Sequence, residues 1–128
     1  MTGVRQVSAD QAHILAVMAD GRLMAWGENI WGQLGTGTTN RGWQNTPVKI
    51  MSGVAEACAG HDYSLVRRND GSLWGCGSNS DGQLDIGNRN TQLRPVRIAA
   101  KVGDFVAGDG VSLWITPAGE LKVTGRIH

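Results

Sequence analysis

The fold is decided by a stretch of sequence that occurs twice. Residues 23–35 read Leu-Met-Ala-Trp-Gly-Glu-Asn-Ile-Trp-Gly-Gln-Leu-Gly, and residues 73–85 read Leu-Trp-Gly-Cys-Gly-Ser-Asn-Ser-Asp-Gly-Gln-Leu-Asp. The two copies lie 50 residues apart, and the turn signals Asp20-Gly21 and Asp70-Gly71 keep the same offset. A third copy follows 48 residues later as Leu121-Lys122-Val123-Thr124-Gly125. A repeat of this period is typical of proteins built from stacked structural units.

Each unit predicts four short strands separated by glycine-rich turns. In the middle copy we predict strands at 47–50, 54–59, 63–68 and 72–76, with Asp70-Gly71 as a type I′ hairpin turn that has positive φ at both central residues. Glycine supplies 19 of the 128 residues, about twice its ordinary frequency. Four-stranded units at this period are typical of propeller blades.

The repeat resembles the regulator of chromosome condensation family. The resemblance rests on Trp26-Gly27-Glu28-Asn29, on Gly32-Gln33-Leu34-Gly35 and on the Pro-Val pairs at 47 and 95. It implies an all-β chain that forms a partial β-propeller of about three stacked four-stranded antiparallel blades. We predict a single repeat domain over 1–128, with blade 1 at about 3–29 (three strands), blade 2 at about 46–79 and blade 3 at about 94–126.

The ring of blades is expected to be incomplete. Family members usually form closed rings of seven blades, whereas this sequence supplies fewer than three full units. The outer blade faces would then be exposed, which favours aggregation or assembly. Either partners cover these faces, or the sequence is a piece of a longer propeller, or its ends are adapted to solvent.

Composition and charge exclude several classes of function. Twelve Lys and Arg balance 11 Asp and Glu, for a net charge of +1, so no general attraction to nucleic acid or to an anionic membrane is expected. No apolar run approaches the roughly 20 residues of a membrane span. The first residues lack the pattern of a signal peptide, and two cysteines are too few for a disulfide scaffold. We therefore expect a cytoplasmic protein without a membrane partner.

The loops provide the candidate binding residues. The repeats equate Gln11, His61 and Asp109, which lie in the loop before the third strand of each unit (63–68 in the middle copy), and they equate Trp31 with Asp81 in a second series of loops. The resemblance implies that the first series faces the end of the propeller that contacts partners. Tryptophan is enriched at binding hot spots, although Trp31 has the alternative of lying flat on a neighbouring blade. The predicted partner-binding loops are Gln11, Trp31, His61, Asp62, Asp81 and Asp109.

No catalytic, metal or cofactor site is predicted. Cys58, His61 and Cys76 would give only three metal ligands without paired spacing. Ser64 is the ordinary serine of the repeat, and no phosphate-binding or nucleophile motif occurs. Arg67 and Arg68 replace Val17-Met18 and Ile115-Thr116 of the other copies. We expect them to extend past the sheet into solvent; the alternatives are that one of them pairs with a carboxylate of a neighbouring blade or contacts a partner.

The function predicted from the sequence is therefore binding rather than catalysis. The first hypothesis is a non-catalytic protein–protein interaction module, and a fragment of a larger propeller would behave in the same way. The alternative is a homo-oligomeric structural building block whose open ends pair head to tail through the exposed blade faces. Guanine-nucleotide exchange and enzyme inhibition, both known in the family, have weaker support in these residues. Small-molecule binding stays open.

Overall fold

Three antiparallel sheets make up the fold. The computed structural model describes residues 1–39 and 42–125, and these contain eleven strands and no α-helix. The first sheet contains β1 (Val4–Asp10), β2 (His13–Met18), β3 (Leu23–Glu28) and β4 (Trp43–Met51). The second sheet contains β5 (Val54–Gly60), β6 (Tyr63–Arg68), β7 (Leu73–Gly77) and β8 (Gln92–Ala99). The third sheet contains β9 (Phe105–Ala107), β10 (Val111–Ile115) and β11 (Leu121–Gly125). The prediction of an all-β partial propeller is confirmed.

The sheets divide the chain differently from the predicted blades. The Pro-Val strand closes the first and the second sheet instead of opening the next one, because Ala25 pairs with Val48 and Gly75 pairs with Val96. The first sheet therefore has four strands instead of three, and the third sheet has three described strands instead of four. A repeat period fixes the spacing of strands but not the point at which one unit ends. Residue 126, the predicted end of blade 3, lies outside the described residues.

The Asp70-Gly71 turn also differs from its prediction. Gly71 has a φ of +88°, but Asp70 is not among the residues with positive φ, so the turn is not type I′. The amide of Gly71 donates to the carbonyl of Arg68 at 2.9 Å. The Asp70 carboxylate accepts hydrogen bonds from the hydroxyl and the amide of Ser72, at 2.6 and 2.9 Å. These bonds fix a local Asx-type turn, and they lower the pKa of Asp70.

Two apolar layers hold the three sheets together. The layer between the first and second sheets includes Leu15, Leu23 and Val17 on one side and Val54, Ala57 and Val66 on the other. The layer between the second and third sheets includes Leu65, Leu73 and Leu84, packed with Val102, Ala107 and Trp114. Because side chains alternate along a strand, the second sheet contributes one of its faces to each layer.

Polar contacts join the first strands of neighbouring sheets. The Gln6 amide donates to the carbonyl of Ala57 at 2.7 Å and accepts from its N–H at 2.9 Å. Ser8 Oγ accepts from the amide of Ala59 at 2.9 Å. Cys58 occupies the position of Ser8 one unit later, and its Sγ accepts from the amide of Ala107 at 3.3 Å. The same positions of the repeat therefore connect each sheet to the next.

The two arginines of β6 contact protein groups. Arg67 pairs with Glu56 and donates to the carbonyl of Gly103 at 2.9 Å, so it bridges the second sheet to the start of the third. The Arg68 guanidinium lies 5.6 Å from the ring centre of Trp74. The predicted pairing with a carboxylate of a neighbouring blade is wrong for Arg67, because Glu56 lies in the same sheet; the bond to the carbonyl of Gly103 is the contact that leaves this sheet.

Candidate functional site

The loops at one end of the sheets surround an open cavity of about 320 Å³. Its described lining consists of Trp31, His61, Asp62, Ser78, Ser80, Asp81, Gln83, Asp109 and Gly110. Five of the six residues predicted from the sequence are among them. We call these five the loop patch: Trp31, His61, Asp62, Asp81 and Asp109.

Gln11 is the predicted residue that the structure separates from the loop patch. It lies in the turn between β1 and β2, has a φ of +47° and lines a shallow neighbouring depression together with His13 and Asp62. The cavity is formed by turns of the second and third sheets and is reached from the first sheet by the longer loop that carries Trp31. The equivalent turn of the first sheet therefore lies outside it.

The turn between β5 and β6 positions His61 and Asp62. Gly60 pairs with Tyr63 across this turn, and Asp62 adopts a φ of +66°, a conformation in which aspartate and asparagine are enriched. The amide of His61 donates to the carbonyl of Gly108 at 2.9 Å, which fixes this turn beside the one that carries Asp109. Two turns from neighbouring sheets thus form one wall of the cavity.

The imidazole of His61 lies between two carboxylates. Its Nδ1 is 3.7 Å from Oδ2 of Asp10, and its Nε2 is 3.5 Å from Oδ2 of Asp62. All three side chains are partly exposed. The histidine therefore links the turn of the first sheet to the turn of the second.

Buried glutamines hold the loops that carry Trp31 and Asp81. Gln33 Oε1 accepts from the amide of Trp31 at 2.9 Å, and Gln83 Oε1 accepts from the amide of Asp81 at 3.0 Å. Each glutamine also accepts a serine hydroxyl of the following sheet at its main-chain carbonyl, at 2.6 Å for Gln33 and 2.7 Å for Gln83. The Gly-Gln-Leu motif therefore shapes a loop and fastens it to the next sheet. Trp31 stays 44% exposed on this support.

A second set of buried polar pairs lies beneath the loops. His13 Nε2 is 3.0 Å from Oγ of Ser64, and the Tyr63 hydroxyl is 3.1 Å from Oγ of Ser112. Tyr63 also donates to the carbonyl of Val111 at 2.5 Å. The sequence analysis missed these pairs, although the repeat carries a signal for them: His13 and Tyr63 share one repeat position, and the two serines share another.

Burial shifts the pKa values of both groups. Loss of hydration lowers the pKa of His13 to about 4, against an opposing effect of Asp10. Burial raises the pKa of Tyr63 to about 12, although the hydrogen bonds from Ser112 and Gly108 oppose the shift. Both side chains therefore remain neutral in the folded protein near pH 7, as supports for the loops.

The loop patch is acidic. It contains three carboxylates, and the described residues that line the cavity include no lysine or arginine. Within residues 1–39 and 42–125, no group of three His, Cys, Asp or Glu side chains is arranged to hold a metal ion. The carboxylates can accept hydrogen bonds from a cationic group, and the indole of Trp31 offers an aromatic face. The arrangement is suited to binding a positively charged group.

The two cysteines lie apart from the loop patch. Neither thiol forms a disulfide bond. Cys58 Sγ accepts a hydrogen bond from the amide of Ala107 in β9. Cys76 is buried, and burial raises the pKa of its thiol to about 12. A thiol with a raised pKa is a poor nucleophile.

The described residues also include no helix with the length and hydropathy that crossing a bilayer requires.

Comparisons with known proteins agree with this architecture. The model of the regulator of chromosome condensation (RCC1) repeat matches residues 20–67 and 70–115, and a second model of the same repeat matches residues 54–83. The ultraviolet-B receptor UVR8 of Arabidopsis thaliana is 30% identical over 103 residues, which cover 79% of this chain and 23% of the receptor.

Solved structures show the same fold. Human WBSCR16 superposes with a TM-score of 0.84 at 24% identity, over 96% of this chain and 34% of that one. Yeast RCC1 (Prp20), solved bound to Kap60, superposes with a TM-score of 0.82 at 20% identity, over 96% of this chain and 32% of that one. The chain thus spans about a third or less of each of these three proteins. With two full repeats matched and the propeller fold shared, the chain belongs to the regulator of chromosome condensation (RCC1) repeat family.

Proposed function

We propose that the chain is a non-catalytic protein-interaction module whose loop patch binds a basic segment of a partner protein. The observation that supports this most is the convergence of Trp31, His61, Asp62, Asp81 and Asp109, from separate loops, on one open cavity of about 320 Å³. Such a cavity has room for one long side chain. A lysine or arginine would place its charge among the carboxylates and its stem against the indole.

The support beneath the loop patch favours binding without a large rearrangement. The amide bonds from Trp31 to Gln33 and from Asp81 to Gln83 fix the main chain of both loops. A site that is already ordered loses less conformational entropy when a ligand binds. Proteins of the same repeat class also bind other proteins, since yeast RCC1 was solved in complex with Kap60.

The test is a titration of the isotope-labelled chain with two short peptides followed by NMR. One peptide carries lysine and arginine, and the other has glutamine at those positions. The five tryptophans give separate indole signals, and Trp31→Phe assigns the one that matters. We expect the basic peptide to shift the Trp31 indole and the amides of Asp62 and Asp109, with an affinity that falls as salt is added. The glutamine peptide should shift none of them.

Two double variants separate the loop patch from overall charge. Asp62→Asn with Asp109→Asn removes two carboxylates from the cavity, and asparagine tolerates the positive φ at position 62. Asp20→Asn with Asp70→Asn removes the same charge from the turns that follow β2 and β6. We expect at least tenfold weaker binding for the first pair, equivalent to about 1.4 kcal/mol, and little change for the second. Equal losses would show that net charge, not the loop patch, attracts the peptide.

A further inference from the structure

The third sheet presents an exposed apolar surface on the side away from the second sheet. We call it the tail face: Val106, Leu113, Ile115, Leu121 and Val123. Val106 is 47% exposed and Leu121 is 63% exposed. Around them lies an open depression of about 220 Å³ with an apolar lining. The equivalent leucines of the first two sheets, Leu23 and Leu73, are buried by the sheet that follows.

The first sheet presents a second apolar surface at the opposite end. Because Gln6, Ser8 and Leu23 point towards the second sheet, the alternation of side chains places their neighbours on the outer side. We call this side the head face: Val7, Ile14, Met24 and Trp26. Val7 is 66% exposed. The head face occupies the repeat positions that cover the preceding sheet in the second and third units.

The polar pairs between sheets are replaced by apolar residues at these two ends. Inside the chain, His13 meets Ser64 and Tyr63 meets Ser112. The residue of the third sheet at the His13 and Tyr63 position is Val111, and the residue of the first sheet at the serine position is Ile14. A head face placed on a tail face would bring valine opposite isoleucine at this point. Neither residue would leave a buried polar group without a partner.

A second substitution follows the same pattern. Ser8 and Cys58 accept an amide hydrogen of the following sheet, whereas Val106 occupies their position on the tail face. Arg67, the charged residue that the second sheet directs towards the third, corresponds to Ile115 on the tail face. At these positions the head face and the tail face are more apolar than the internal surfaces that they repeat, and they match each other there. Asp104, at the repeat position of Gln6, is a charged residue that borders the depression on the tail face.

From this match we infer that the tail face of one chain docks on the head face of a second copy. The contact repeats the geometry of the internal contacts between sheets, with apolar residues at the positions of the buried pairs. Two copies joined at both ends would bring six sheets into one closed ring, since each contributes three. Other occupants of the tail face, such as a different protein, are alternatives that the experiment below distinguishes.

The experiment measures the mass of the purified chain by native mass spectrometry and sedimentation velocity. We expect a discrete dimer that persists at about 10 µM, which requires a Kd near 1 µM or lower. A chain that is still monomeric at about 100 µM would overturn the inference, because its Kd for self-association would then lie far above the expected value of about 1 µM. An open series of growing oligomers would overturn the closed dimer.

Three variants test which surfaces meet. Val7→Lys places a charge on the head face and Leu121→Lys places one on the tail face, both at exposed positions where folding should tolerate lysine. Because an unpaired charge is costly to bury, each variant alone should dimerise at least about a hundredfold more weakly. Ile30→Lys is the matched control, since Ile30 is also exposed but lies in the loop after β3, and it should remain dimeric.

Mixing the two variants gives the sharpest result. The Val7→Lys chain retains an intact tail face, and the Leu121→Lys chain retains an intact head face. We expect their equimolar mixture to form a one-to-one heterodimer through the single junction in which both faces are intact, although neither variant forms a homodimer. The other junction would place the two lysines opposite each other, so this heterodimer should be open and weaker than the unaltered dimer. A mixture in which the two variants associate no more strongly than either does alone would show that the head face and the tail face do not meet. Binding of basic peptides to the loop patch is a separate measurement and does not depend on this result.

Discussion

Acid should destabilise the folded chain through His13. Its side chain is buried, and Nε2 lies 3.0 Å from Oγ of Ser64. The hydroxyl hydrogen of Ser64 is donated to the carbonyl of Gln33 at 2.6 Å, so the serine oxygen accepts from the Nε2–H of a neutral imidazole. A second proton would place an unhydrated charge in this site. The unfolded chain has no such restriction and binds the proton more readily.

The size of the effect follows from the two pKa values. Burial lowers the pKa of His13 from 6.5 to about 4. The free energy of unfolding should fall as the pH drops below the unfolded value, with a slope of up to about 1.4 kcal/mol per pH unit, and level off below about pH 4. At pH 4.5 the loss attributable to His13 is about 2 to 3 kcal/mol.

The carboxylates of Asp20 and Asp70 act in a different range of pH. Their folded pKa values are lowered by hydrogen bonds from Arg22 and Ser72 respectively. Their stabilisation is therefore present above the ordinary aspartate pKa of 3.8 and is lost only as the pH falls further. The interval between about pH 7 and about pH 4.5 consequently reports mainly on His13.

Urea unfolding followed by tryptophan fluorescence, at fixed protein concentration and a series of pH values, measures this slope. His13→Gln removes the titrating group but keeps an amide that can donate to Ser64, and it should flatten the profile by about 2 to 3 kcal/mol over the interval. A wild-type profile without a slope, or an unchanged slope in His13→Gln, would refute the reasoning.

Two further substitutions test the contacts between strands, both by urea unfolding. Tyr63→Phe removes the hydroxyl that donates to the carbonyl of Val111 and lies 3.1 Å from Oγ of Ser112. The amide of Gly108 still donates to the Val111 carbonyl at 2.8 Å, so we expect a loss of about 1 kcal/mol and a Tm lower by about 4 °C; no measurable loss would contradict the role of the hydroxyl. Gly77 has a φ of +107°, and a Cβ added there would lie 2.6 Å from the carbonyl oxygen of Asp62. Gly77→Ala should therefore lower the free energy of unfolding by about 3 kcal/mol or more. Gly82 has a φ of +74° and open space around it, so Gly82→Ala should lower the free energy of unfolding by about 1 kcal/mol. Similar losses for the two glycine substitutions would contradict the steric argument.

The sequence predicted the strands better than their grouping. Because each unit repeats its turns and apolar positions at a fixed offset, the strand from 63 to 68 was predicted with the bounds that the structure shows. The period contains no information about where a sheet begins. The strand that contains Val48 was therefore grouped with β5, which follows it in the chain, whereas it pairs with β3. The Asp70-Gly71 geometry was wrong because the turn is centred one residue earlier: the amide of Gly71 bonds to the carbonyl of Arg68, so Asn69 and Asp70 are the central residues and Gly71 follows them with positive φ.

The candidate site was predicted in part for a similar reason. Repeat positions show that His61 and Asp109 are equivalent, and equivalent loops in stacked sheets lie at the same end. Repeat positions do not show which loops of neighbouring sheets meet. The prediction therefore grouped Gln11, in the first sheet, with residues that line a cavity between the second and third sheets. Gln83 and Ser78 also line this cavity, but in the sequence they look like ordinary residues of the repeat.

The second sheet is packed on both of its faces, whereas the first and third sheets are packed on one. In an array where each unit contacts only its neighbours, opening the second sheet should therefore cost more free energy than opening the first or the third. Amide hydrogens of β6, with four consecutive buried residues from Tyr63 to Val66, should exchange with solvent most slowly. In a single, undocked copy the amides of the two outer sheets should exchange earlier through partial opening. The turn that carries His61 and Asp62 would therefore stay in place while the ends of the array fluctuate.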